Sequence, residues 1–424
     1  MKTKFLFALM IIIFASLTAY APAKAEEKND TYEWVDKANL PEALYGAVTA
    51  VADEKIYVIG GGKNDQVTNH TYVYDPQNDT WTQKSDMPTA RKGAAFAVVD
   101  GKIYVIGGFL GKTSYTNKVE VYNPKTDTWE TAPDLPQHKA IASASAIGNN
   151  IYVIGGHTAE RPNLSDKNFC YNTETKTWTE KKSLPIDLEY LTTSTANGKV
   201  YAIGGFSNLK TNKIIYEYDP SSDSWNKKNN LITGYIGSSS TAVNGKIYII
   251  GGNIPGKNGS DLVQVYDPAD DSIKEFKSIN HARSFSGVVS IKDDIYVIGG
   301  AGTVSNFKYG NNQDLNSVEM LSLDGNTKTP SQPEEPGEEP QNDNHRAKMI
   351  ITMITGLEKE YDLPMKEVND FIKWYDQKDA GIGLSRYAIN VYDDNGPYVS
   401  RKDHVIFNNI LMFQVNEYET SKSK

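Results

Sequence analysis

KIYVIGG, residues 102–108, decides how the rest of this chain is read. Six close variants of it end in a glycine pair whose first member stands at 60, 107, 155, 204, 251 and 299, so one unit returns every 47 to 49 residues. A tryptophan keeps step: Trp34, Trp81, Trp129, Trp178 and Trp225, with Ile273 in the sixth place, each precede the next glycine pair by 26 residues. Tyr74, Tyr122, Tyr171, Tyr218 and Tyr266 stand seven residues before those positions and lead into polar turns such as YDPQNDTW. Asp-Pro and Asn-Pro followed by short polar residues are hairpin chemistry. Each unit therefore reads as four short strands: an apolar strand such as GAAFAVV, the IYVIGG strand, one ending at the Tyr and one carrying the Trp. Four-stranded units at this period predict a radial propeller.

Counting also predicts how the ring closes. The sixth unit ends in SVEMLSLDG with no Trp strand after it, whereas Trp34 has no strands before it. The N-terminal segment TYEWVDK should then supply the outer strand of the last blade. The expected fold is an all-β, six-bladed propeller over residues 26–324, closed by an N-terminal strand. Each Trp is expected to wedge between adjacent sheets, so that truncation to Ala costs about 3–5 kcal/mol. The glycine pair marks a place of unusual dihedrals or close backbone approach. The Gly-Gly pair, the following Tyr and the Trp resemble the kelch repeat, and the likeness covers about residues 30–324.

Composition bounds the remainder. With 39% hydrophobic and 23% charged residues, the 424-residue chain has the material for a real core, and its single Cys excludes an internal disulfide. A formal charge of −9 argues against a nucleic-acid partner. Residues 1–25 read as a signal peptide: Lys2 and Lys4, an apolar run from Phe5 to Leu17, then Ala23-Lys24-Ala25 as the cleavage site. That run is short for a membrane span, and no second apolar stretch approaches the required length. The expected location is secreted or at the cell surface, with cleavage near Ala25 and no membrane span in the mature chain. Loss of the three lysines deepens the charge from −9 to −12.

Residues 325–346, GNTKTPSQPEEPGEEPQNDNHR, read as an extended charged linker. Residues 347–424 read as a small α+β domain: AKMIITMI as a strand, PMKEVNDFIKWYDQ as an amphipathic helix opened by Pro364, and DHVIFNNILMFQV as one or two strands. Val368, Phe371, Ile372 and Tyr375 share the helical face predicted to pack. Through EKEYDLPM, VNDFIKWYD, GPYVSRKD and IFNNILMFQVNEY this part is similar to a C-terminal module of exported Gram-positive bacterial proteins. That likeness carries no assigned activity, and the expected role of the module is to retain or present the propeller, with association at the cell surface.

The chain contains no Gly-rich phosphate loop, HExxH, CxxC or nucleophile elbow. Its six His have no metal-ligand spacing, so neither a metal nor a cofactor is expected. Cys170, on a predicted third strand, reads as a buried structural thiol. The kelch resemblance directs attention to the mouth of the central channel, where loops entering each blade meet the residues just after Gly-Gly. The candidates are Arg91, Lys139, Glu189, Tyr190, Tyr235 and Arg283 from the entering loops, and Phe109, His157, Phe206 and Asn253 after the glycine pairs. Basic residues outnumber the single carboxylate, which points to an anionic ligand, either an acidic glycan or an acidic peptide loop. The competing reading has these side chains solvated or salt-bridged across blades. In the sixth unit the loop AGTVSNFKYGNNQDLN is longer than its counterparts, as a binding loop or a tolerated insertion. The functional expectation is a non-enzymatic binding module for a protein or glycan. The alternative is a carbohydrate-active enzyme similar to the six-bladed bacterial sialic acid mutarotases (N-acetylneuraminate epimerases), with Glu189 as acid/base and Arg91 or Arg283 as carboxylate clamp.

Overall fold

Six antiparallel sheets of four strands each carry the repeat, in a computed structural model that describes residues 32–324 and 345–419. Residues 65, 112–113, 160–162, 256–258, 305–311, 354–355, 380–385, 392–400 and 407–409 are outside the description. So are the leader expected at residues 1–25, nearly all of the linker expected at 325–346, and the middle of the long loop in the sixth unit. Blade 1 runs from hub to rim as Val48–Ala52, Lys55–Ile59, Thr71–Asp75 and Thr80–Lys84. Blades 2 to 5 repeat that order within residues 95–132, 143–181, 192–227 and 239–276. Blade 6 takes its inner three strands from Gly287–Ile291, Asp294–Ile298 and Val318–Ser322, and its outer strand is Val35–Lys37. The register Val35↔Met320, Asp36↔Glu319, Lys37↔Val318 is antiparallel, so the N-terminal segment closes the ring as its sequence predicts.

The glycine pairs have a specific task. The N–H of the second glycine donates to the next blade's entering loop: Gly61 to the Arg91 carbonyl (2.9 Å), Gly108 to Lys139 (2.7 Å), Gly156 to Leu188 (2.7 Å), Gly205 to Tyr235 (3.1 Å), Gly252 to Arg283 (2.8 Å) and Gly300 to Leu44 (2.8 Å). The first glycine lies against the same carbonyl. A Cβ on Gly60 would stand 2.6 Å from the Arg91 oxygen, closer than any side chain tolerates. Close approach, together with positive φ at both glycines, is therefore what this dipeptide supplies.

The tryptophans lie between adjacent sheets, as expected, each packed against a core shared by two neighbouring blades. Four of the indoles stack near the Tyr of their own blade, as in Tyr74–Trp81 at 5.0 Å between centroids, while Trp34 of blade 6 packs with Leu321. Each indole N–H reaches back to the preceding blade: Trp81 to the Ala38 carbonyl (2.9 Å), Trp129 to Ser85 (2.9 Å), Trp178 to Pro133 (2.9 Å), Trp225 to Lys182 (2.8 Å) and Trp34 to Lys277 (3.0 Å). Trp34 is buried at 6% exposure, while the other four are only partly covered at the rim. The Tyr hydroxyls of blades 1, 2, 4 and 5 donate to turn aspartates such as Asp79 (2.6 Å from Tyr74), which in turn accept a backbone N–H of the preceding blade. Near the axis, where inner strands converge, small residues prevail. Hydroxyls link neighbouring strands there, with Ser145 to Thr193 at 2.9 Å and Thr241 to Ser290 at 2.9 Å.

The C-terminal part is α+β. A three-stranded sheet, in the order Glu358–Pro364, His345–Met353, Ile410–Glu419, accompanies the hairpin Arg386–Val391/Arg401–Ile406 and the helix Met365–Asp379. Pro364 ends a strand directly before the helix, where its missing N–H costs no hydrogen bond. Val368, Phe371 and Trp374 are buried against Met349, Ile351 and Leu363, with Ile372 and Tyr375 at the margin of that core. Among the described residues, no helix is long and apolar enough to cross a membrane.

Candidate functional site

The six loops that enter the blades converge on the axis. Their backbones form a second, tighter ring. Gly46 N–H donates to the Phe285 carbonyl (2.8 Å), Gly93 to Gly46 (2.8 Å), Ile141 to Gly93 (2.7 Å), Tyr190 to Ile141 (3.1 Å), Gly237 to Tyr190 (3.3 Å) and Phe285 to Gly237 (2.8 Å). All six residues have φ between 48° and 64°. Three are glycines and three, Ile141, Tyr190 and Phe285, hold bulky side chains in a backbone conformation such residues rarely adopt. The glycines make room for them: a Cβ on Gly237 would collide with the Phe285 ring, and one on Gly93 would press on Ile141 at 3.1 Å. Tyr190 and Phe285 meet at 5.6 Å across Gly237 and stand together at the channel mouth.

A wall of rings rises beside them from blades 2 to 4. Phe109 packs on Tyr115 at 5.1 Å, and Tyr115 stacks on His157 at 5.5 Å with 24° between planes. His157 Nδ1 lies 2.7 Å from Glu189 Oε2, with side chains 25% and 11% exposed. Glu189 and Phe206 are locked by paired backbone hydrogen bonds of 3.1 and 2.8 Å. Burial, and then the Glu189 charge, push the phenols of Tyr190 and Tyr115 above the ordinary tyrosine value, so both remain neutral donors. On the other flank the Lys92 ammonium bonds to the Tyr45 hydroxyl and lies 4.5 Å from that ring's centroid. Blades 5, 6 and 1 bring smaller groups: Asn253, Ser284, Ala301 and Gly62. Among the described residues the mouth is thus lopsided, with an aromatic wall and one imidazole–carboxylate pair on blades 2 to 4.

The profile of the KLHDC2/KLHL20/DRC7 Kelch-repeats domain matches residues 25–134, 49–252 and 130–300, and the Kelch motif matches 282–327. The chain belongs to the kelch-repeat family. The solved structure of YjhT aligns with this kelch propeller at a TM-score of 0.57 and 17% identity, over 68% of this chain and 97% of that one, a likeness of fold. An uncharacterized protein of Clostridium acetobutylicum is 36% identical over 73 residues, 17% of this chain and 18% of that protein. The kelch chain thus spans less than a fifth of the length of this curated relative.

Within the kelch framework the ten candidate residues separate into two groups. Glu189, Tyr190, Phe109, His157 and Phe206 gather at the mouth. Arg91, Lys139, Tyr235 and Arg283 do not: their side chains turn into the blades. Arg91 and Arg283 have side chains 0% exposed and are paired with buried Glu120 and Glu319 respectively. Arg91 also donates to the carbonyls of Gly107 (3.0 Å) and Lys118 (3.1 Å), and Arg283 to those of Gly299 (2.9 Å) and Ser317 (3.0 Å). Lys139 donates to the Gly155 carbonyl (2.9 Å) and to Ser165 Oγ (3.0 Å), beneath the Phe169 ring. Tyr235 is fully buried. Three of the expected cations, Arg91, Lys139 and Arg283, are therefore spent inside the wall and do not serve an anionic ligand, while Lys92 stays at the mouth. Asn253, the tenth candidate, belongs with the second group: it is buried, its Oδ1 accepting from Gly259 N–H at 2.8 Å.

Tyr45, Lys92, Ile141 and Phe285, entering-loop positions outside the ten candidates, complete the mouth together with Tyr115, to which the repeat did not point. The signal for Ile141 and Phe285 was present: glycine at 46, 93 and 237 announces a left-handed position, and Ile141 and Phe285 share it with Tyr190. Cys170 is buried, and burial raises its thiol above the ordinary value, consistent with the structural role expected of it. Among the described residues, no three His, Cys, Asp or Glu side chains cluster as a metal site.

Proposed function

We propose that this kelch propeller is a non-enzymatic binding module, working outside the cell, that holds a glycan against the aromatic wall of its mouth. The observation that carries the reading is the continuous run Phe109–Tyr115–His157 ending on Glu189, with Tyr190 and Phe285 beside it. Sugar rings offer C–H faces to aromatic planes, while their hydroxyls suit a carboxylate and neutral phenols. A glycan array with wild type, Tyr115→Ala and Phe206→Ala is the test. Capture by wild type that falls in both variants supports the reading. A silent array, with a surface protein pulled down by wild type and lost in both variants, replaces the glycan by a protein loop; equal capture by all three removes the mouth from the function.

The His157–Glu189 pair also favours a second reading, sugar mutarotation with Glu189 as the acid/base group. Arg91 and Arg283, wholly enclosed, supply no clamp for a substrate carboxylate. Anomer exchange of N-acetylneuraminate followed by proton NMR, accelerated by wild type and not by Glu189→Ala, would establish the enzyme.

Export through residues 1–25 and retention at the surface by the C-terminal module belong to the same proposal. They rest on the charge and apolar pattern of residues 1–25 and on the module's likeness to exported Gram-positive proteins. An N-terminus at Glu26 in the secreted or surface fraction, and release of a chain truncated at Asp324 into the medium, are the expected results. No nucleic-acid partner is proposed.

A further inference from the structure

At the seam where the N-terminal segment meets blade 1, a cleft of about 310 Å³ is lined by Glu42, Lys63, Asn64, Gln66, Val67, Thr68 and His70. Its acid stands apart from those of the other blades. Glu120 in blade 2 and Glu319 in blade 6 are each neutralised by the buried arginine of the entering loop. In the loop entering blade 1 that place is held by Leu44, and the carboxylate comes from the loop itself, as Glu42. Its Oε1 is occupied by His70 Nδ1 at 2.9 Å and the Tyr72 hydroxyl at 3.1 Å. Its Oε2 faces Lys63 Nζ at 3.6 Å, too long for a hydrogen bond. Glu42 is mostly covered, while Lys63, Asn64 and Gln66 are exposed around it.

We infer that this cleft is a second ligand site, separate from the mouth, for a polyhydroxylated ring of one or two sugar units. A carboxylate and an ammonium held just beyond bonding distance are completed by a group that accepts from one and donates to the other. A hydroxyl does both, and a vicinal diol does so without displacing His70 or Tyr72 from Oε1. The Asn64 and Gln66 amides can donate to and accept from further hydroxyls, Val67 offers the one apolar surface to a ring face, and the volume lies at the small end of ligand pockets.

Saturation-transfer NMR on the full chain, with methyl glucoside, methyl galactoside and methyl mannoside as probes, tests the inference. At least one probe should receive saturation, with affinity falling about tenfold or more in Glu42→Gln and in Lys63→Ala, the loss of one charge-assisted hydrogen bond. Repeated in the Phe206→Ala background, so that the mouth proposed above does not supply the transfer, the signal should persist and still fall with Lys63→Ala, which separates this site from that reading. Lys63 is exposed, so its variant folds whatever becomes of Glu42→Gln. Absence of transfer to all three probes, or, in the Phe206→Ala background, loss of the transfer or its survival in Lys63→Ala, would each overturn it.

Discussion

Lys139 is fully buried without a carboxylate against its ammonium, which donates to a carbonyl and a hydroxyl. Burial lowers it from the ordinary lysine value to about 7. The unfolded chain then binds the extra proton between that value and the ordinary 10.5, so Lys139 adds stability as pH rises through this window and weighs against folding below it. The stability difference between Lys139→Met and wild type, from urea melts at pH 7 and pH 10, should narrow or change sign by up to about 4 kcal/mol. Arg91 is the converse case. Arg91→Ala strands Glu120 in the wall and should cost about 3–5 kcal/mol, whereas Arg91→Met with Glu120→Gln should recover part of the loss; denaturation midpoints decide it. Such residues also explain how far the site was legible in the chain. Position in the repeat located the entering loops, but Arg91 and Lys92 are neighbours of one chemical type, and only the first points inward. Repeat spacing carries no record of that turn, because it depends on which carbonyls the glycine pair leaves to be capped.

Elements meet here through backbone groups more than through side chains. Both hydrogen-bonded rings depend on chain segments approaching within a van der Waals radius, so Gly107→Ala, whose new methyl would overlap the Lys139 carbonyl, should lose about 2–4 kcal/mol of stability. At the rim the contacts are lighter. Trp129→Phe keeps the stacking on Tyr122 and loses one N–H bond to Ser85, for which calorimetry should find a loss of about 1 kcal/mol. The blade elements were readable because their glycines, tyrosines and tryptophans recur for these reasons at fixed spacing. The partly open setting of the tryptophans was not, since an indole stacked at an edge and one wedged in a core leave the same mark in sequence.

For the whole molecule, closure is the decisive term. Removal of residues 32–38 leaves blade 6 with an unpaired edge along Val318–Ser322 and takes away the Trp34 N–H donated to the Lys277 carbonyl and the Ala38 N–H donated to Asp79. Light scattering on that deletion should show self-association, since an open strand edge recruits another chain.

Order of synthesis follows from the same strand. Val35–Lys37 is made first, yet the strand it must pair with, Val318–Ser322, is the last of the propeller to be made. Pairing so distant in sequence closes late. A chain emerging from a ribosome, or threading N-terminus first through a pore, carries its latch ahead of everything the latch must catch. It stays unfastened for the whole passage and locks only when the sixth blade has arrived.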